Sequence, residues 1–209
     1  MQAQATDVNA CLDFASPNQW RVQRLQLQHA ALLQDLYQRN PAYFIISGDA
    51  PAAPDAAWRD LAAGAPTAWP HRARAMYALC DQDGQAQAAV DWAADLFAPG
   101  VWHIGFVLLD ARWQGQGQAR ALYQVLEQHA LAHGARWMRL GVLQNNPRAQ
   151  AFWRASGFAF LRSRSIGEQG APRMADVMLK CLRAHSAAEQ QQERAAYLAQ
   201  VARDRPDAA

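Results

Sequence analysis

The segment from Trp102 to His133 constrains this chain more than any other. Trp102–Leu109 is a near-continuous apolar run, which reads as a strand buried on both faces. The small-residue loop Gln114-Gly115-Gln116-Gly117-Gln118-Ala119 follows. Gln118–His133 then carries Leu122, Val125, Leu126 and Ala130 at helical spacing, and Gly134 closes it. A strand that enters a helix through glycines leaves the first helical N–H groups unpaired and uncovered. The helix dipole is positive there, so backbone alone can cradle a diphosphate. A plain strand-to-helix turn would use the same residues. The chain has no GxxxxGK[ST], which excludes a P-loop nucleotidase. It also lacks a third glycine at dinucleotide spacing and an early βαβ unit, which disfavours a dinucleotide fold.

The rest of the chain supplies strands and helices around this unit. Trp20–Leu27 alternates as a first strand. His29–Arg39 bears the helical stripe Leu32, Leu33, Leu36 and Tyr37, and Asn40-Pro41 stops it. Residues 48–70 read as loop, with a short helix through Ala56–Ala62. Arg74–Cys80 and Gln85–Leu96 flank Asp81-Gln82-Asp83-Gly84, a hairpin signal. Trp137–Leu143 is a strand, and Pro147–Ala155 is a helix with proline in its first turn. Phe158–Arg164 and Met174–Leu182 form a last pair around Gly167–Pro172. Ser186 and Glu189 have capping-box spacing. They open a tail helix whose thin stripe of Tyr197, Leu198 and Val201 suits docking on the domain or on a second subunit. The expected organisation is an arm (1–19), one mixed α+β domain (20–183) and a helical tail (184–209).

Composition narrows the function class. Apolar residues make up 51% and charged residues 18%, a globular balance. With 20 basic and 18 acidic residues the net charge is +2, which gives no case for a nucleic-acid or membrane partner. Cys11, Cys80 and Cys181 are odd in number and lack CxxC spacing, so a reducing cytoplasm is expected. No segment reads as a signal peptide or a membrane span. The histidines His29, His71, His129, His133 and His185 show no metal spacing and are expected to face solvent, so no metal is expected.

Gln114-x-x-Gly117-x-Ala119 resembles the [QR]-x-x-G-x-[GA] signature of GNAT acetyltransferases. Asn146-Pro147-Arg148-Ala149-Gln150-Ala151-Phe152-Trp153-Arg154-Ala155-Ser156-Gly157-Phe158 is similar to a second segment of that family. The two blocks and their strands cover residues 102–160, and the looser element order extends to 20–183. The resemblance implies a mixed, mostly antiparallel sheet flanked by helices, with the fourth and fifth strands splayed apart. It implies acetyl-CoA as co-substrate, its diphosphate on Gln114, Gly115, Gln116, Gly117, Gln118 and Ala119. The pantetheine arm would lie between the splayed strands, against backbone at Leu108, Leu109 and Val142–Gln144. Asn146 would bond the arm or hold the splay, and Phe152 and Trp153 would pack near it. Homodimers are common in the family.

The implied reaction moves an acetyl group to an amine. A free alkylamine has a pKa near ~10.4, so removing its proton is the main obstacle. His103 is the first candidate base; arylalkylamine N-acetyltransferases look similar in carrying a histidine at this offset. On a regular strand residues 103, 105, 107 and 109 would share its face. Asp91 and Asp95 are the alternatives. The family's usual tyrosine acid is replaced by Trp153, which leaves the acid to water or to another residue such as Tyr123. Tyr43, Phe44 and Trp69 lie where the family builds its acceptor pocket, and core packing would equally account for them. Two other classes stay open: a non-catalytic acyl-CoA-sensing module, and an interaction protein using the tail helix. Thiol release with a panel of amines separates them.

Overall fold

The apolar runs pair into one sheet of seven strands in the order β1-β2-β3-β4-β5-β7-β6. The computed structural model describes residues 13–16, 19–48, 50–63, 69–166 and 173–205. The strands are β1 (Arg21–Arg24), β2 (Ala73–Cys80), β3 (Ala86–Ala94), β4 (Val101–Leu109), β5 (Trp137–Leu143), β6 (Ala159–Ile166) and β7 (Arg173–Cys181). β4 and β5 are parallel; the other neighbours are antiparallel. The helices are α1 (Ala30–Gln38), α2 (Pro41–Gly48), α3 (Ala56–Ala63), α4 (Gln118–Ala132), α5 (Pro147–Ala155) and α6 (Ala187–Gln200). This is the expected mixed α+β class.

Strand alternation divides the core between two faces. On one, Leu122, Leu126 and Ala130 of α4 and Trp153 of α5 pack with Val90, Trp92, Trp102, Ile104, Met138 and Leu140. On the other, Leu33, Leu36 and Tyr37 of α1 cover Met76, Ala78, Ala89 and Leu108. Full burial of a leucine is worth about 1.5–3 kcal/mol, so the α1 stripe alone is enough to fix that helix on the sheet.

Several expectations need correction. Asn40-Pro41 ends α1 as expected, but the chain turns directly into α2, a helix not expected from the sequence. The Asn40 side-chain amide donates to the Leu36 carbonyl (2.8 Å), and proline costs a helix nothing at its first position, where no N–H is needed. Part of the expected N-terminal arm is held: Phe14 is buried, edge-on to Tyr77 and Trp92 at 5.4 Å. His129 does not simply face solvent. It is half-buried, stacks on His133 at 4.1 Å and tilts against Trp92. The Gly167–Pro172 turn lies outside the described residues.

The tail is docked on the domain. The Ser186–Glu189 capping box forms, and Tyr197 and Val201 are buried with Val101, Trp137, Val177 and Leu179. Beyond α6, the Asp204 carboxylate takes two bonds from the buried Arg139 guanidinium on β5, at 2.5 and 2.9 Å. The Tyr197 hydroxyl donates to the same carboxylate. Burial pushes the Asp204 carboxyl up, but the Arg139 bonds outweigh it and hold it below the usual range.

Candidate active site

The site begins where β4 and β5 part. Their pairing runs from Val101↔Trp137 to Ile104↔Leu140 and stops there. At the same level the β3–β4 register shifts, from Trp92↔Ile104 to Asp91↔Phe106. Gly105 is thus the extra residue of a bulge, which bends a strand and re-aims its side chains. A Cβ on Gly105 would lie 2.5 Å from Asp91 Oδ2, so any larger residue would have to displace the Asp91 carboxylate. The bulge also breaks the expected alternation. Val107 and Leu109 join the face of Trp102 and Ile104, while Phe106 and Leu108 join the opposite one. β4 is consequently not buried on both faces throughout, because Gly105 is exposed and Phe106 and Val107 are half-buried at the split.

The glycine loop is anchored from beneath. Asp110 is buried, and its side chain accepts from the Arg112 N–H (3.0 Å) to cap the 3-10 turn Ala111–Trp113. Both Arg39 and Arg112 pair with that carboxylate. Gln87 Oε1 accepts from the Trp113 indole N–H at 2.7 Å. The loop can therefore leave Gly115 and Gly117 in the left-handed region, at φ +79° and +80°, which favours glycine. A Cβ on either would meet nothing within 4 Å, so space over these amides is open, as a diphosphate requires. Gln114 ties the loop to its surroundings, donating to the Leu109 carbonyl (3.0 Å) and accepting from Arg148 (3.1 Å). Asn146 caps α5 by accepting from the Ala149 N–H at 3.0 Å.

A cleft of about 510 Å³ opens over these two helix starts. Of the residues expected to hold the cofactor, Gln116, Gln118 and Val142–Gln144 do not line it, and the others do; Val142 and Leu143 border the cavity between the parted strands instead. The Gln116 side chain instead donates to the Arg112 carbonyl (2.7 Å). Arg120, Arg148, Tyr43 and Ile46 line the cleft without having been expected there. A signal for the two arginines was present: a cation in the first turn of a helix opposes its dipole, and a bound anion removes that penalty.

Three cavities that share lining residues lie between the loop and the carboxylate. The cleft shares Val107, Asn146, Tyr43 and Trp153 with a cavity between the parted strands, bordered by Ile104, Gly105, Leu140 and Gly141. Gly105 in turn borders a third cavity with Asp91, His103 and Trp69. Asp91 Oδ2 accepts from Arg74 at 2.8 Å, and its buried Oδ1 has no partner among the described residues. Burial pushes the Asp91 carboxyl up, against the opposing pull of Arg74. His103 Nδ1 lies 3.0 Å from the Arg139 carbonyl and 3.4 Å from Arg139 Nη1; the shorter contact, to an oxygen that can only accept, puts the proton on Nδ1. Burial first, then the Arg139 charge, hold the imidazole well below its ordinary pKa.

The remaining candidates lie elsewhere. Asp95 stands apart in the β3–β4 loop, paired with Arg72 (2.5 Å) and accepting from the Gly100 N–H (2.7 Å). Tyr123 is packed edge-on to Trp153 at 5.4 Å and lines none of the three cavities. Phe44 packs on Tyr37 at 4.6 Å.

The sequence matches the acetyltransferase (GNAT) family over residues 31–158. No curated protein matches it. Among solved structures it resembles an acetyltransferase from Thermus thermophilus (22% identity, 80% of this chain and 99% of that one, TM-score 0.60). It also resembles the ribosomal-protein-S18-alanine N-acetyltransferase from Escherichia coli (17% identity, 80% and 97%, TM-score 0.56). An N-acetyltransferase from Staphylococcus aureus is similar as well (13% identity, 79% and 100%, TM-score 0.55). At these identities the likeness is one of fold.

Proposed function

The chain belongs to the acetyltransferase (GNAT) family and is an N-acetyltransferase; on that premise we propose that Asp91 is the general base acting on the acceptor amine at the β4–β5 split. The observation that carries this is the Gly105 bulge, which holds the Asp91 carboxylate against the point where the strands part. Acetyl-CoA, the co-substrate of the family, supplies the acetyl group as a thioester. The open amides at Gly115 and Gly117 fit its diphosphate, with Arg120 and Arg148 adding charge at the cleft wall. Leu108 and Leu109 offer backbone beside the split, and Phe152 and Trp153 form an apolar wall.

An amine of pKa near ~10.4 reaches the enzyme protonated. Burial raises the affinity of Asp91 for a proton above that of an exposed carboxylate, which suits it to receive one directly or through a water. His103 keeps Nε2 free among the described residues because Nδ1 bonds the Arg139 carbonyl, but burial and the Arg139 charge hold its affinity for a proton well below that of an ordinary imidazole, so we assign it to the pocket wall. Trp153 donates only an indole N–H and cannot replace the family's tyrosine as an acid. Tyr43 borders both the cleft and the split, and burial pushes its hydroxyl up to about 12. It keeps its proton and is the side chain we assign to meet the departing sulfur. We place the protein in the cytoplasm, where the free thiols of Cys80 and Cys181 stay reduced.

The test is a melting curve with acetyl-CoA and with NADH, followed by thiol release with a panel of amines. A ligand bound only by the folded state raises Tm, so acetyl-CoA shifts Tm and NADH does not. No shift at millimolar acetyl-CoA removes the cofactor site. A shift without release by any amine favours the sensing module instead.

A further inference from the structure

Beyond the cavity of Asp91 and His103 lies a cluster of cations that acetyl transfer itself does not use. Trp69 lines that cavity, its ring 6.0 Å from the His103 ring. Three guanidinium groups surround the same indole: Arg164 at 5.0 Å, Arg203 at 5.3 Å and Arg139 at 6.0 Å from the ring centroid. They come from β6, from the tail beyond α6 and from β5. Arg139 is neutralised by Asp204. Among the described residues, Arg164 and Arg203 have no carboxylate within ion-pair distance. The Nε of Arg164 is buried and has no hydrogen-bond partner among them either. A buried donor left unpaired is unfavourable, and the Arg203 charge beside it adds repulsion. Burial, then Arg139 and Arg203, accordingly push the Arg164 guanidinium below its usual pKa.

We propose that Arg164, assisted by Arg203, receives a carboxylate carried by the acceptor amine, so that the enzyme acetylates amino acids or molecules that present an amine and a carboxylate together. This rests on the acetyl-transfer reading of the split. The Nε–Nη edge of an arginine is a planar fork that matches the two oxygens of a carboxylate. Stacking on Trp69 holds the Arg164 guanidinium beside a ring that lines the cavity of the base. The bound anion satisfies the buried Nε and neutralises the excess charge, and an uncharged amine does neither.

The test compares matched acceptors in a thiol-release assay: β-alanine against propylamine, L-phenylalanine against phenethylamine, and phosphoethanolamine against ethanolamine. The expected result is a roughly 10–100-fold higher kcat/KM for the carboxylate-bearing member of a pair, the worth of one charged hydrogen-bonded contact. Arg164→Gln should bring that ratio to within a few-fold of one while the Kd of acetyl-CoA holds. Arg203→Gln should do so more weakly. A wild-type preference for the uncharged amines, or a ratio unchanged in Arg164→Gln, overturns the proposal. A larger gain from the phosphate than from either carboxylate overturns the assignment to carboxylate. A second readout needs no turnover: tryptophan fluorescence of the CoA-loaded protein titrated with N-acetyl-L-phenylalanine and with N-acetylphenethylamine. Saturation by the acid alone, lost in Arg164→Gln, supports the anion site even where no amine releases thiol, an outcome that sinks acetyl transfer and not this site. Equal responses to both compounds, or to wild type and variant, count against it.

Discussion

The two ends of the β4–β5 pair are made from the same two strands and are built oppositely. At the paired end, Val101–Ile104 against Trp137–Leu140, most side chains are buried. Trp102 and Trp137 are buried, and the Arg139–Asp204 pair clamps the tail across the sheet. At the parted end both strands carry glycine, Gly105 and Gly141, and the flanking space is cavity. One end uses side chains for closure; the other withholds them and leaves a cavity. The stability of the first is what lets the second stay open without collapsing.

Four variants break or sharpen this contrast. The largest effect is expected at the open end. Asp91→Asn should lower kcat/KM by ~10²–10⁴, with acetyl-CoA affinity nearly unchanged by calorimetry. The base works deprotonated, so wild-type activity should fall as pH drops through a pKa above the ordinary carboxylate value of ~3.9, the direction in which burial moves Asp91. That acidic limb should vanish in the variant. Retention of both rate and limb would rule Asp91 out and bring His103 forward.

At the closed end, Asp204→Ala leaves the Arg139 charge buried and uncompensated, which costs about 3–5 kcal/mol and lowers Tm by roughly 10 °C. Because the Asp204 carboxyl is held below its usual range, its contribution is full above ~3.9 and lost as pH falls through the lower folded value. Acid unfolding of the variant should lack that step. Truncation at residue 186 removes the same carboxylate, so a tail that could be deleted without loss of Tm would show the clamp to be inert.

Gly117→Asp returns to the open end. It places a charged side chain at φ +80° over the loop amides. We expect a 10–100-fold loss of acetyl-CoA affinity by calorimetry and about 1–2 kcal/mol of backbone strain. Unchanged affinity would reduce the loop to a turn. Gly141→Ala is the mildest. A Cβ there meets nothing within 4 Å, so Tm should shift by only a degree or two while the KM for acetyl-CoA rises a few-fold. A large loss of Tm with KM unchanged would show that the split is packed rather than open.

The elements were legible because each rests on a local rule. Trp137–Leu143 and Pro147–Ala155 have the same bounds in sequence and structure, since apolar runs, proline at a helix start and a stopping glycine act within a few residues. The glycine loop was legible for the same reason, its left-handed positions being a property of single residues. The whole of α2 was missed because proline reads equally as a stop and as a first helical residue.

What the sequence determined by itself was therefore the family, the strands, the helices other than α2, and the left-handed glycines at Gly115 and Gly117. Only the tertiary structure decided which side chains meet. The bulge at Gly105 depends on pairing with β3 and turns the faces of β4 over, so strand alternation could not tell where Val107 and Leu109 point. It set Asp91 against the split, and it left Asp95 in a loop ion pair although both lie near the same strand end. Arg139 and Asp204 are distant in the chain, as are Trp69 and Arg164. Such partners are joined by burial and charge compensation across the sheet, forces that carry no periodic signature along the sequence.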